Sequence, residues 1–183
     1  MNTYSIKVAL RGITPMIWRR LRVHANTSFA DLHNIIQICM GWDDDYLHSF
    51  HIYGEDYGVS RVGGMHFNHD AHDVYISEFG FDTGARFEYT YNFNQYWLCD
   101  IRVESIEQST KRAPWCLSGS GRQGDARYYK ADENSILFDV IGTVVNANES
   151  AAVEDIRTLI EHYEAIRFHR PSINAQLREK LSS

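Results

Sequence analysis

Tyr4, Ile6, Val8 and Leu10 alternate with polar neighbours, the period-two pattern of a half-buried strand. Gly12 to Pro15 interrupts it, since Pro15 has no N–H for a ladder. Ile17 to Val23 reads as a second strand, and the short link predicts an antiparallel hairpin. Thr27 and Ser28 then open a helix, with Ser28 and Asp31 placed like a capping box. Phe29, Leu32, Ile35, Ile36 and Met40 fall at helical spacing and make one apolar stripe, which Gly41 stops. Leu47 to Tyr53 follows as a third strand.

Residues 54–73 read as a long loop rich in Gly, His and Asp, and Ile76 to Phe79 as a short helical turn. Phe87, Tyr89, Tyr91 and Phe93 alternate as a strong strand, with Trp97 to Val103 its antiparallel partner through Asn94 and Gln95. Residues 108–134 look irregular. Ile136 to Val145 is apolar and β-branched, as in a strand. Val153, Ile156, Leu159, Ile160, Tyr163 and Ile166 then form a helical stripe that ends at Pro171, and Ser172 starts a last short helix to Leu181.

The expected fold is α+β. It opens β-β-α-β, in a β-grasp-like manner, and continues as a mixed or antiparallel sheet with one packed helix and two C-terminal helices. No repeat or Pro/Ser linker divides residues 1–183, so a single domain is expected, with a C-terminal helical extension at about 149–182.

Composition narrows the class. With 44% hydrophobic residues over 183 positions, the chain can fold without a disulfide or structural metal. No stretch approaches a membrane span, and Met1 to Leu10 lacks the form of a signal peptide. A cytoplasmic protein that is not membrane-bound is therefore expected. Three cysteines, Cys39, Cys99 and Cys116, with no C-x-x-C pair, agree with a reducing compartment. The net charge of −6 is uneven. Residues 1–24 hold five bases and no acid, whereas 25–100 hold twelve acids and two bases. Nucleic-acid binding therefore requires the basic segments to share one face.

Two groups could carry chemistry. In a strand, Trp18, Arg20 and Arg22 share one face, and Arg19 points to the other with Ile17, Leu21 and Val23. An aromatic with arginines on an open sheet face can stack on bases or grip an acidic partner, so Trp18, Arg19, Arg20 and Arg22 form the candidate binding segment, with nucleic acid or a protein as partner. The plain alternative puts Trp18 in the core and pairs the arginines with acids of the middle segment. The second group is His48, His66, His69 and His72, with Asp70 and Asp73 beside them. Imidazole and carboxylate suit a divalent metal such as zinc, the one cofactor the sequence admits. His48 and His51, three apart in a strand, face opposite ways and do not chelate together. No H-E-x-x-H, cysteine pair or finger spacing supports the metal, and polar loop histidines explain the residues as well. Asp43, Asp44 and Asp45 read as an exposed acidic turn. Cys116 has no supporting dyad, and the glycines of 119–124 lack the Lys-Ser/Thr of a phosphate loop.

The first 53 residues also carry a specific string: Ile13-Thr14-Pro15-Met16-Ile17-Trp18-Arg19-Arg20-Leu21, then Leu32-His33 with Ile36-Gln37, then Met40-Gly41-Trp42 followed by Leu47-His48-Ser49-Phe50. It resembles the Ri-plasmid ORF-3-like family, proteins of plasmids and mobile elements. The family's Y-D-F-G-D-x-W-x-H stands here as Tyr91-Asn92-Phe93-Asn94-Gln95-Tyr96-Trp97-Leu98-Cys99. If the family's aspartates bind a cation, that site is lost here; if they are turn groups, asparagine makes the same bonds. Some relatives are labelled resolvases. The mixed charge of the C-terminal segments and the Pro171 break do not make a helix-turn-helix, and no serine sits amid clustered arginines. The expectation is a binding or regulatory module that is not an enzyme; the alternative is a metal-dependent enzyme using the histidines of 48–73.

Overall fold

The structure, a computed structural model, describes residues 2–60, 64–124, 157 and 167–181. Strands β1 (Asn2–Leu10) and β2 (Trp18–His24) form the expected antiparallel hairpin. Helix α1 spans Phe29–Met40. The Ser28 hydroxyl accepts the Asp31 N–H at its start, and Gly41 ends it at φ 75°, a left-handed conformation that glycine adopts without strain. All five residues of the apolar stripe are buried. Each is stabilised by about 1.5–3 kcal/mol relative to exposure.

After α1 come β3 (His48–Ile52), β4 (Glu55–Gly58), the two-residue β5 (His69–Asp70) and a 3-10 turn at Ile76–Phe79. Then follow β6 (Arg86–Tyr91), β7 (Trp97–Gln108), β8 (Trp115–Ser120) and a short helix α2 (Arg170–Lys180). The eight strands make one sheet in the order β5-β4-β3-β6-β7-β1-β2-β8, antiparallel throughout except for β4 and β5.

This order overturns the β-grasp-like expectation. The strand after α1 does not return beside the opening hairpin; β6 and β7 lie between β3 and β1. The cause is the free edge of β1. Its ladder groups find their partner in β7, paired from Asn2↔Gln108 to Leu10↔Cys99, the longest register in the sheet. The molecule is mostly sheet, and among the described residues its helices are α1 and α2, the latter short and C-terminal. The strand expected at Ile136 to Val145 and the first expected C-terminal helix lie outside the described residues.

Two stretches read as loops contain strands. β4 and β5 lie within 54–73, and β8 lies within 108–134. In β8, Gly119 resembles a loop residue in sequence, yet a Cβ there would meet the Phe168 ring at 2.8 Å and Arg19 Cδ at 2.9 Å. It is a close-approach position. α2 packs beside β8, and Asn174 bonds it as another strand would: its amide nitrogen donates to the Cys116 carbonyl at 2.9 Å, and its oxygen accepts the Cys116 N–H at 2.8 Å.

Candidate functional site

Alternation along the central strands sorts the sheet into two faces. Ile6, Val8, Leu21, Val23, Ile101 and Val103 are buried under α1. The outer face carries Lys7, Trp18, Arg20, Arg22, Arg86 and Arg102, all exposed or half-buried. Register places four of these in one line across four strands: Arg86 opposite Arg102, Arg102 opposite Lys7, and Lys7 opposite Arg20. Like charges directly opposed destabilise a sheet, by on the order of 0.2–1 kcal/mol per pair. Glu104 offsets part of that repulsion, since Arg20, Lys7 and Arg102 all act on its carboxylate.

The acids of this face are engaged. Glu104 takes Arg20 in a two-bond pair, its Oε1 accepting from Arg20 Nη2 at 3.0 Å. That bond holds the Glu104 carboxyl below its ordinary range. Arg11 holds both Glu88 and Asp100. Trp18 lies beside the row, with Lys7 Nζ 5.0 Å and the Arg20 guanidinium carbon 5.3 Å from its ring centre. Arg22 donates to the Arg112 carbonyl at 3.4 Å.

Arg19 is not part of this surface. It is fully buried, with Nε on the Cys39 carbonyl at 2.8 Å and its two Nη atoms on the carbonyls of Trp18, Ser120 and Arg122. Phe168 stacks over its guanidinium at 4.8 Å. Of the four residues of the candidate binding segment, three share the outer face and one is a core tie between β2, α1 and the end of β8.

The candidate metal residues do not gather as a set. His66, His69 and His72 are exposed. His69 lies 3.9 Å from Glu55, and His72 bonds Asp70 at 2.9 Å. His48 alone is buried, and its neighbours are other residues: its ring stacks on His33 at 3.4 Å and 8°. Among the described residues, one group of three metal-ligand types lies within 4.8 Å, namely His33, Asp44 and His48.

A closed circuit of hydrogen bonds surrounds that group. The Asp44 N–H donates to Gln37 Oε1 at 3.1 Å, and Gln37 Nε2 donates to the Tyr89 hydroxyl oxygen at 2.9 Å. The Tyr89 hydroxyl meets His33 Nδ1 at 2.7 Å, and His33 Nε2 meets Asp44 Oδ1 at 2.7 Å. Burial pushes the Tyr89 phenol well up, so it stays protonated and its O–H donates a hydrogen bond to Nδ1. His33 then carries its own proton on Nε2, toward the carboxylate. Asp44 is held at φ 56°, unusual for a residue with a side chain. Sequence reasoning passed over His33, Gln37 and Asp44 as chemistry. The one available signal was the spacing of four between His33 and Gln37, which puts two polar groups on the same flank of α1.

Residues 2–126 match a protein family described as plasmid pRiA4b ORF-3-like protein. The chain belongs to this family. It is similar to the uncharacterized protein y4hQ of Sinorhizobium fredii, 30% identical over 100 residues, which cover 54% of this chain and 52% of that protein. The chain thus spans about half the length of the curated relative it matches. A crystal structure of a protein of unknown function, MM3350 of Methanosarcina mazei Go1, has the same fold at a TM-score of 0.65 and 23% identity, covering 93% of this chain and 96% of that one.

In this ORF-3-like protein, the amide that stands for the family's first aspartate does turn work. Asn92, at φ 55°, accepts the Gln95 N–H on its side chain at 3.3 Å and the Tyr96 N–H on its carbonyl at 2.7 Å. Its three cysteines are free and buried, and burial pushes the Cys39 and Cys99 thiols up, away from nucleophilic chemistry. Among the described residues no helix is long and apolar enough to cross a membrane.

Proposed function

We propose that this member of the ORF-3-like family is a binding module whose outer sheet face takes a single strand of nucleic acid. One observation carries the reading: the line Arg86–Arg102–Lys7–Arg20 with Trp18 beside it, on a face that neither helix α1 nor α2 covers, in a chain whose net charge is −6. Phosphates bind the bases, and an aromatic ring beside them offers a stacking platform. Among the described residues this antiparallel face is uncovered and can receive a splayed strand, whereas a duplex requires an element that enters a groove. No catalytic step is needed for this role.

The test is fluorescence anisotropy with short labelled single strands of DNA and RNA, a duplex, and a polyglutamate chain. Binding should be tightest for a single strand and should weaken with salt at a log–log slope of about −3, as about four phosphate contacts require. Lys7→Glu with Arg102→Glu should abolish it, and Trp18→Ala should weaken it for every base. Equal affinity for polyglutamate would replace nucleic acid with an acidic protein as the partner. No binding at low salt would sink the reading.

A further inference from the structure

The geometry points to a binding site for one divalent transition-metal ion, zinc fitting best, on His33, Asp44 and His48. The site is independent of the outer face, since the sheet itself lies between them: His33 sits on the buried side of α1, Asp44 in the turn after it, and His48 at the start of β3.

Four observations converge. The donor set is two imidazoles and one carboxylate, with ligand atoms within 4.8 Å of one another, which suits zinc and related ions. Two histidines are brought into face contact in a nearly closed interior, at 3% and 7% exposure. The surroundings are those of ligands held in place: Tyr89 fixes the far nitrogen of His33, and Gln37 fixes both Tyr89 and the Asp44 backbone. Finally, there is a way in. Asp44 is 46% exposed at its side chain and belongs to the wall of a cleft of about 610 Å³, with Asn34, Gln37, Trp42, Gln176 and Lys180.

The chemistry of binding follows from the metal-free arrangement. Parallel imidazoles confine their in-plane lone pairs to parallel planes, so one ring must turn before both reach a single ion. As the Tyr89 O–H turns away, His33 must also change tautomer, its single proton leaving Nε2, where the ion sits beside Asp44, for Nδ1. There the Tyr89 oxygen accepts it. Three protein ligands leave one position for water or a ligand, and Asp44, the exposed member of the three, borders the cleft.

The experiment loads the purified chain with zinc, passes it through gel filtration, and measures retained metal, with affinity from competition against a chromogenic chelator. About one equivalent should be retained by the wild type. Asp44→Asn, at a half-exposed side chain and so safe for folding, should lower affinity by more than the ~10–100-fold that outer-shell changes cost. His48→Gln should do the same with an unchanged far-ultraviolet circular dichroism spectrum, and Tyr89→Phe should fall within the ~10–100-fold range. The triple variant His66→Ala, His69→Ala, His72→Ala should bind as the wild type does. No retained zinc, full affinity in folded Asp44→Asn, or loss in the loop triple variant would each overturn the assignment.

Discussion

Arg19 and Arg20 are neighbours in β2, yet they belong to two different kinds of protein surface. Arg20 stands on the outer face, half-exposed, paired with Glu104 and next in line to Lys7. Arg19 points the other way into the layer under α1, fully buried, with its guanidinium distributed over four backbone carbonyls. The same chemical group thus builds structure on one face and presents charge on the other. The histidines divide in the same manner. His33 belongs to the interior circuit through Tyr89, Gln37 and Asp44, with buried His48 stacked on it, while His51 and His72 make exposed pairs with Asp56 and Asp70. Arg19 and His33 are committed to interior partners, and the outer groups keep charge in reach of solvent.

If the faces differ as described, mutations should separate them. The largest effect belongs to Arg19→Met, which leaves carbonyls of three elements without their donor in the interior. It should cost on the order of 3–5 kcal/mol, read as a lowered urea midpoint at unchanged slope. An Arg19→Met protein as stable as Arg20→Ala would break the comparison outright. Next is Tyr89→Phe, which opens the circuit at two bonds. It should cost about 1–3 kcal/mol by the same measurement, the Gln37 amide and His33 being left short of a partner.

Smaller still is the outer row. Replacing Arg102 by Ser removes one charge and with it two like-charge pairings, so stability should stay within about 0.5 kcal/mol of the wild type or rise slightly, while single-strand affinity falls. A strongly destabilised Arg102→Ser would mean that the row is structural after all. The smallest effect is a pH dependence. Glu104 is depressed in the folded chain by its bond to Arg20, so its contribution is present above its ordinary value of 4.5 and is lost as pH falls through the folded value. The difference in unfolding free energy between the wild type and Glu104→Gln should therefore shrink below about pH 4.5. With Arg20 more than a third exposed, that difference should not exceed ~1 kcal/mol even at neutral pH.

Much of the local structure was legible beforehand. The hairpin, the helix from Phe29 to Met40 with its caps, the 3-10 turn and the β6–β7 hairpin all follow from contiguous patterns of period two or 3.6 and from turn residues. So did the division of Trp18, Arg20 and Arg22 from Arg19, because strand alternation is a local rule. β8 escaped because Trp115-Cys116-Leu117-Ser118-Gly119-Ser120 has no alternation, its glycine answering to Arg19 and Phe168 rather than to a turn. β4 and β5 escaped because short edge strands have too few residues to display a period. The histidine cluster was half visible. His48 was in the candidate set, but nothing in the sequence ties it to His33 and Asp44 rather than to the histidines of the following loop.

By itself, then, the sequence determined which way each side chain points within its own element, since that depends only on backbone period and neighbouring residues. Tertiary structure alone decided which elements stand side by side: β7 against β1, the row of bases across four strands, and Tyr89 closing a circuit with residues more than fifty positions earlier. The physical reason is that pairing is settled by which edges and buried polar groups still lack partners. The entropy of closing a loop grows only with the logarithm of its length, so distance along the chain does little to restrict the choice.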